Sequence, residues 1–297
     1  MACPLAPDTP PDAALRQTAA ECHAELLKHR AIVLKSRRPS GIHQTRVALR
    51  RLRAAFTLFG GALGPVERRQ VRALAQEAKW LAAECAPARD LHVFITETVP
   101  DLPVEVKRIA NRLAKSHLER ARTALNGARF SAFDAELGHF KQTIPEAPPV
   151  GRLEDFGRDV LERRHAKVEQ RGRKLAQLDG RRLHRLRIAI KKLRYAAGFL
   201  QPAFPAPDFD PGAVRTYIEA TVRLQSALGA LNDREVANQM LEDIAAAARP
   251  SEKVGRGLRK LAKETSAGGK RRRRKLLDAW RKFEKADCFW RKVKLTE

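Results

Sequence analysis

The chain has 297 residues, with 59 Lys or Arg against 34 Asp or Glu, for a formal net charge of +25. Hydrophobic residues make up 43%, enough to bury a sizeable core, so the composition is not that of a disordered polycation. An excess of this size concentrates anions at the surface and points to nucleic acid or another polyanion as partner.

Cys3, Cys22, Cys85 and Cys288 form no C-x-x-C pair and are scattered through helical patterns. They read as small apolar residues in a reducing compartment, not as a disulfide framework. Met1 to Pro11 carries prolines and no apolar stretch, so residues 1–11 read as a disordered tail and not a signal peptide. No apolar run approaches the ~18 residues of a membrane span. A soluble, cytoplasmic protein without a membrane partner is expected.

Helical periodicity predicts helices over 12–36, 42–59, 66–86, 90–98, 104–126 and 131–142. Pro145-Glu146-Ala147-Pro148-Pro149-Val150-Gly151 then breaks the pattern, because proline cannot continue a helix. Helices are predicted to resume over 152–177, 182–200, 212–230, 233–248, 252–266 and 270–286. No alternating strand pattern appears. The expected fold is all-α, with a first helical unit over 12–144, a linker over 145–151 and a second unit over 152–297.

The two halves repeat. His43-Gln-Thr-Arg46-Val47-Ala48-Leu49-Arg50-Arg51-Leu52-Arg53 recurs in constant register as His184-Arg-Leu-Arg187-Ile188-Ala189-Ile190-Lys191-Lys192-Leu193-Arg194. A Gly/Pro-bearing break follows in each half. A later pair, Leu81…Asp90-x-x-Val93 and Leu224…Asp233-x-x-Val236, keeps the same internal spacing at a slightly longer offset. Order and spacing hold from the histidine of each half to its valine. Two similar antiparallel four-helix bundles related by a pseudo-twofold axis are the natural architecture.

On a helix, Leu49, Leu52, Phe56, Phe59 and Leu63 share one stripe, the expected core face. His43, Arg46, Arg50 and Arg53 share another, about 110° away at 100° per residue. In the second half Ile190, Leu193, Ala197 and Leu200 form the core face, and His184, Arg187, Lys191 and Arg194 the basic one. Arg51 points elsewhere. Like charges at these spacings repel by a few tenths of a kcal/mol per pair. No acidic residue lies between 43 and 66 or between 180 and 207 to offset the repulsion, whereas an anionic ligand would. Arg46 to Arg53 spans about 10 Å of helix, which suits several successive charges of a linear polyanion. Guanidinium forks match phosphate oxygens.

Each histidine heads its stripe. Packing, capping and a phosphate hydrogen bond all remain open for it, while no metal-ligand spacing is present. Asp90 and Asp233 each follow an expected helix end. They read either as N-caps or as groups that orient a stripe arginine. The run Lys270-Arg271-Arg272-Arg273-Arg274-Lys275 follows Gly268-Gly269 and reads as solvated, since on a helix its members point in all directions.

The doubled H-x-x-R-x-x-x-[RK]-[RK]-L-R segment resembles the signature of CHAD domains, the conserved histidine α-helical domain family. Arg89-Asp90-x-x-Val93 resembles that family's second motif. The likeness runs from about 12 to 290. It implies two helical bundles with a basic cavity between them that binds inorganic polyphosphate. It also implies His43, Arg46, Arg50, Arg53, His184, Arg187, Lys191 and Arg194 as ligand contacts, with Lys79 and Arg89 beside them. The second half departs from the first at Asn232 and Val222, the counterparts of Arg89 and Lys79, so the cavity would be uneven in charge. Some relatives carry a triphosphate-hydrolysing tunnel domain, for which this chain has no room.

The sequence-based expectation is therefore non-catalytic binding of inorganic polyphosphate, with localisation to polyphosphate granules as one use of it. No cofactor and no metal are expected. Non-specific nucleic-acid binding is the alternative, but no aromatic platform or nucleic-acid motif is evident; Tyr195 is the one aromatic beside a stripe. A phosphohydrolase is third, with neither a P-loop nor a metal-binding carboxylate cluster in view.

Overall fold

Prolines and carboxylates set where the helices begin. In the computed structural model of the chain, Pro11, Pro65, Pro87 and Pro211 stand in the first turn of their helices, where a missing N–H costs nothing. Asp179 accepts a hydrogen bond from the Arg182 N–H at 2.7 Å, and Asp210 accepts from Gly212 and Ala213. These are side-chain caps of the kind that stabilise a helix by about 1 kcal/mol.

The structure describes residues 5–36, 39–99, 101–142, 151–206, 209–248, 252–266 and 269–291, with backbone alone at 39–40, 232–235 and 264–266. The helices are α1 (Pro11–Lys35), α2 (Pro39–Phe59), α3 (Pro65–Glu84), α4 (Ala86–Val93), α5 (Val104–Asn126) and α6 (Ala128–Gln142). They continue with α7 (Leu153–Gly172), α8 (Gly180–Leu200), α9 (Pro211–Ala246), α10 (Glu252–Ser266) and α11 (Gly269–Glu284). No strand occurs among the described residues, and none of their helices is long and apolar enough to cross a membrane. The fold is all-α.

The repeat is visible in the backbone. Helix α2 ends at Phe59 and passes straight into a 3₁₀ turn, Gly60–Ala62. Helix α8 ends at Leu200 and passes into Gln201–Ala203, the same turn at the matching place in the second half.

Three differences from the sequence reading stand out. Residues 5–10, assigned to the tail, form a turn: the Ala6 N–H donates to Thr9 Oγ1 at 2.9 Å, and the Pro7 carbonyl accepts from the Glu154 N–H at 3.0 Å. The turn is fixed because it satisfies an orphan donor at the start of α7. Most of the 145–151 linker lies outside the described residues. Its last member, Gly151, has φ +87°, which glycine alone adopts without strain. Helices expected over 212–230 and 233–248 are one helix, α9, because nothing at 230–233 breaks it and Gly229 alone costs only ~1 kcal/mol. Finally, Pro87 starts α4 earlier than the expected 90–98, and a π-helical turn, Phe94–Thr98, carries it on.

The main core runs without interruption through both halves. It takes Leu49, Leu52, Phe56 and Phe59 from α2 and Ile190, Leu193, Ala197 and Leu200 from α8, the two apolar stripes read from the sequence. Helices α1, α2 and α3 pack in succession with α5 and α6 against them, and α7, α8, α9 and α11 pack on one another. A second core interleaves the halves: Leu91, Phe94, Val106 and Ile109 meet Ala237, Leu241, Ile244, Val254 and Leu261. The outer half of α9 and the whole of α10 therefore lean on α4 and α5. Cys22 and Cys85 are buried as small apolar residues, and burial pushes their thiols up to about 11 and about 12.

Candidate functional site

Helices α2 and α8 pack against each other, which brings the two basic stripes to one seam. Their apolar faces are committed to the core, so the stripes are turned out along its edge. Arg50 and Lys191 are exposed, while Arg46, Arg53, Arg187 and Arg194 are half-buried.

Lys191 reports most directly on the site. Burial first, then Arg50, Arg187, Arg53 and Arg194, push its ammonium down to about 8 from the usual 10.5. Two of those guanidiniums come from each half. The group is exposed by accessible area, yet protein crowds it enough to desolvate the charge.

A second group lies toward the start of α2. Arg46 donates to the Ala82 carbonyl of α3 at 2.5 Å. Its guanidinium is lowered by burial, raised by Asp90 and lowered again by Arg89 and Arg50. His43 is held below the usual histidine value by burial first and then by Arg89 and Arg50. Arg50 thus belongs to both groups and makes one tract of them, from His43 to Arg194.

Asp90 resolves between the two readings offered for it. It lies inside α4 and is not an N-cap; its Oδ1 takes the Arg89 Nη1 at 3.0 Å, and it is the main charge facing Arg46. It orients arginines. The side chain of Asp233, like that of Asn232, lies outside the described residues. Lys79 and His184 are exposed, and among the described residues no hydrogen bond or ion pair ties them to the tract. Arg51, off the stripe, sets its guanidinium 5.7 Å from the centre of the Phe199 ring of α8.

Two supporting residues escaped the sequence reading. Gln225 of α9 accepts from Arg194 Nε at 2.7 Å. Tyr195 lies under two cations of the tract, its ring centre 4.4 Å from the Arg194 guanidinium and 6.0 Å from that of Arg50. Its hydroxyl is buried, with no hydrogen-bond partner among the described residues. The signal for Tyr195 was its place next to Arg194, weighed only as a stacking platform for bases. Gln225 carries no motif. Among the described residues, no group of three or more His, Cys, Asp or Glu is placed to hold a metal ion.

What the fold and seam define is an all-helical protein that gathers cations from two sequence repeats along one helix pair. The profile of the CHAD domain family matches residues 17–242, and the chain belongs to that family. Among solved structures, the CHAD domain from the plant Ricinus communis superposes with a TM-score of 0.79 at 22% identity, over 97% of this chain and 96% of that one. PptA from Streptomyces chartreusis superposes with a TM-score of 0.61 at 15% identity, over 94% and 99%. At these identities the likeness speaks for the fold. No curated protein matches the chain.

Proposed function

We propose that this protein binds long inorganic polyphosphate without catalysis, along the tract from His43 through Arg46, Arg89, Arg50, Arg53, Lys191, Arg187 and Arg194. The observation that carries the reading is Lys191 among four guanidiniums drawn from two helices that hold no acid over 43–66 and 180–207. Crowded like charges are unfavourable in the free protein, and a linear polyanion removes the repulsion while accepting charge-assisted hydrogen bonds. Family membership supports the same partner, since CHAD domains are understood to bind polyphosphate. Lys79 and His184 would reach the ligand only from the edge of the tract.

Tyr195 favours polyphosphate over nucleic acid. It is the one aromatic beside a stripe, and with 8% of its surface exposed beneath Arg194 and Arg50 it offers no face for a base. Recruitment to polyphosphate granules in the cytoplasm would be one use of the same binding. Competition of long polyphosphate against single- and double-stranded DNA and RNA at physiological salt tests the reading. Polyphosphate is expected to displace each nucleic acid at much lower phosphate concentration. Displacement in the opposite order would overturn it.

A further inference from the structure

A cleft of about 380 Å³ opens between the start of α2, α4 and α5, at the His43 end of the tract. Its size falls in the range of about 300–1,000 Å³ usual for small-molecule sites. Ile42, Ala88, Ala114 and Leu118 supply its apolar lining, here called the floor. Its rim is cationic. Arg89 lines the cleft and also acts on His43 and Arg46, so one guanidinium belongs to cleft and tract together. Asp90 takes only its Nη1, which leaves further donors on the fork. Lys115 and His92 stand at the same rim, and no hydrogen bond or ion pair occupies their side chains among the described residues. The one acid there, Glu119, is tied to Arg122 at 2.7 Å.

A bare phosphate chain has no use for an apolar floor, and an uncharged ring has no use for the rim. The shape fits a molecule that joins the two: a planar aromatic group carrying a string of phosphates. We propose that the cleft is a binding site for a nucleoside polyphosphate, its base on Ala88, Ala114 and Leu118 and its phosphates running from Arg89 onto His43 and Arg46. The assignment rests on reading the tract as a phosphate-chain site and adds a second, organic ligand class at its end.

The test compares ATP with inorganic tripolyphosphate by calorimetry on the full chain, without divalent cations and at one salt concentration. Tripolyphosphate carries the same number of phosphates and more negative charge, so electrostatics alone favours it. ATP is expected to bind about tenfold tighter, the equivalent of about 1.4 kcal/mol. Ala114→Phe, on a half-buried position of the floor, should abolish that advantage while leaving tripolyphosphate and long polyphosphate unchanged. ATP binding no tighter than tripolyphosphate to the unaltered protein would overturn the proposal, and this arm does not depend on whether the variant folds. An ATP advantage that survives in folded Ala114→Phe would overturn it too. Long polyphosphate is titrated in parallel. If it binds and ATP has no advantage, the cleft assignment falls and the tract stands. If it fails to bind while ATP retains a floor-dependent advantage, the long-chain reading of the tract falls, and only its His43, Arg46 and Arg89 end stands as the phosphate half of the cleft.

Discussion

Arg50 and Lys191 occupy equivalent positions in the two copies of the repeat, and Arg50 is the first of the charges that depress the Lys191 ammonium. A pair of twins facing each other across the α2–α8 seam is what two copies of one helix produce when they pack by the same face. The pair also marks the middle of the tract, with Arg46 and Arg53 flanking Arg50 on α2 and Arg187 and Arg194 flanking Lys191 on α8.

The depressed Lys191 predicts a pH dependence. Its folded value of about 8 lies below the unfolded 10.5, so the folded protein releases this proton first as pH rises. A bound polyanion restores the proton. Polyphosphate affinity should therefore fall severalfold between pH 7 and 9. Lys191→Arg, which stays charged throughout, should flatten that slope. Fluorescence titrations at matched ionic strength would show it, and an equal slope in both proteins would exclude Lys191 as its source.

Acid should destabilise the fold by a separate route. Burial holds His23, His43, His117 and His165 below the usual 6.5. As pH falls through 6.5 the unfolded chain takes up protons that the folded chain resists, so stability drops. The carboxylates that salt bridges lower, Glu77, Glu84 and Glu162, add their loss only nearer pH 4.5. Tm should decrease steadily from pH 7 to 5.5, and a flat profile over that interval would contradict this assignment.

Packing predicts two substitutions of opposite effect. A Cβ on Gly172 would overlap the Trp280 ring, so Gly172→Ala must displace a buried indole. A loss of about 1–3 kcal/mol or more is expected from overpacking. Tyr195→Phe removes a buried hydroxyl that has no hydrogen-bond partner among the described residues and keeps the ring beneath Arg194. Its stability should be unchanged or higher. Tyr195→Ala should weaken polyphosphate binding by freeing that guanidinium. Chemical denaturation and titration of the three variants check all of this.

The helices and both stripes were legible because they rest on local periodicity: Leu49, Leu52, Phe56 and their twins are buried as the pattern requires. What periodicity cannot carry is long-range. Whether Asp90 caps a helix or holds Arg89 depended on where Pro87 started α4. The continuity of α9 depended on a second core whose partners lie far apart in the chain, such as Phe94 and Leu241. Gln225 meets Arg194 only through the packing of α9 on α8. Lys79 followed from the resemblance and His184 from the stripe, and among the described residues no hydrogen bond or ion pair ties either to the tract.

Affinity should also depend on chain length and salt. The tract offers successive cations to successive phosphates, so pyrophosphate should bind far more weakly than long chains. Log affinity should fall linearly with log salt as counterions are released. Equal affinity for short and long chains would contradict an extended site.

The most direct measurement compares two variants that each remove four units of positive charge. Arg50→Glu with Lys191→Glu reverses the centre of the tract. Neutralising Lys270, Arg271, Arg274 and Lys275 to Gln strips exposed residues from the start of α11, outside it. Circular dichroism first establishes that both are folded, as expected, since none of the six side chains lies in the core. At about 1.5–3 kcal/mol for each charge-assisted hydrogen bond, the double reversal should lose two or more orders of magnitude in affinity for long polyphosphate. The α11 variant should lose less than about tenfold, as rim charges do. Equal losses, or a larger loss in the α11 variant, would contradict the tract and leave net charge as the source of binding.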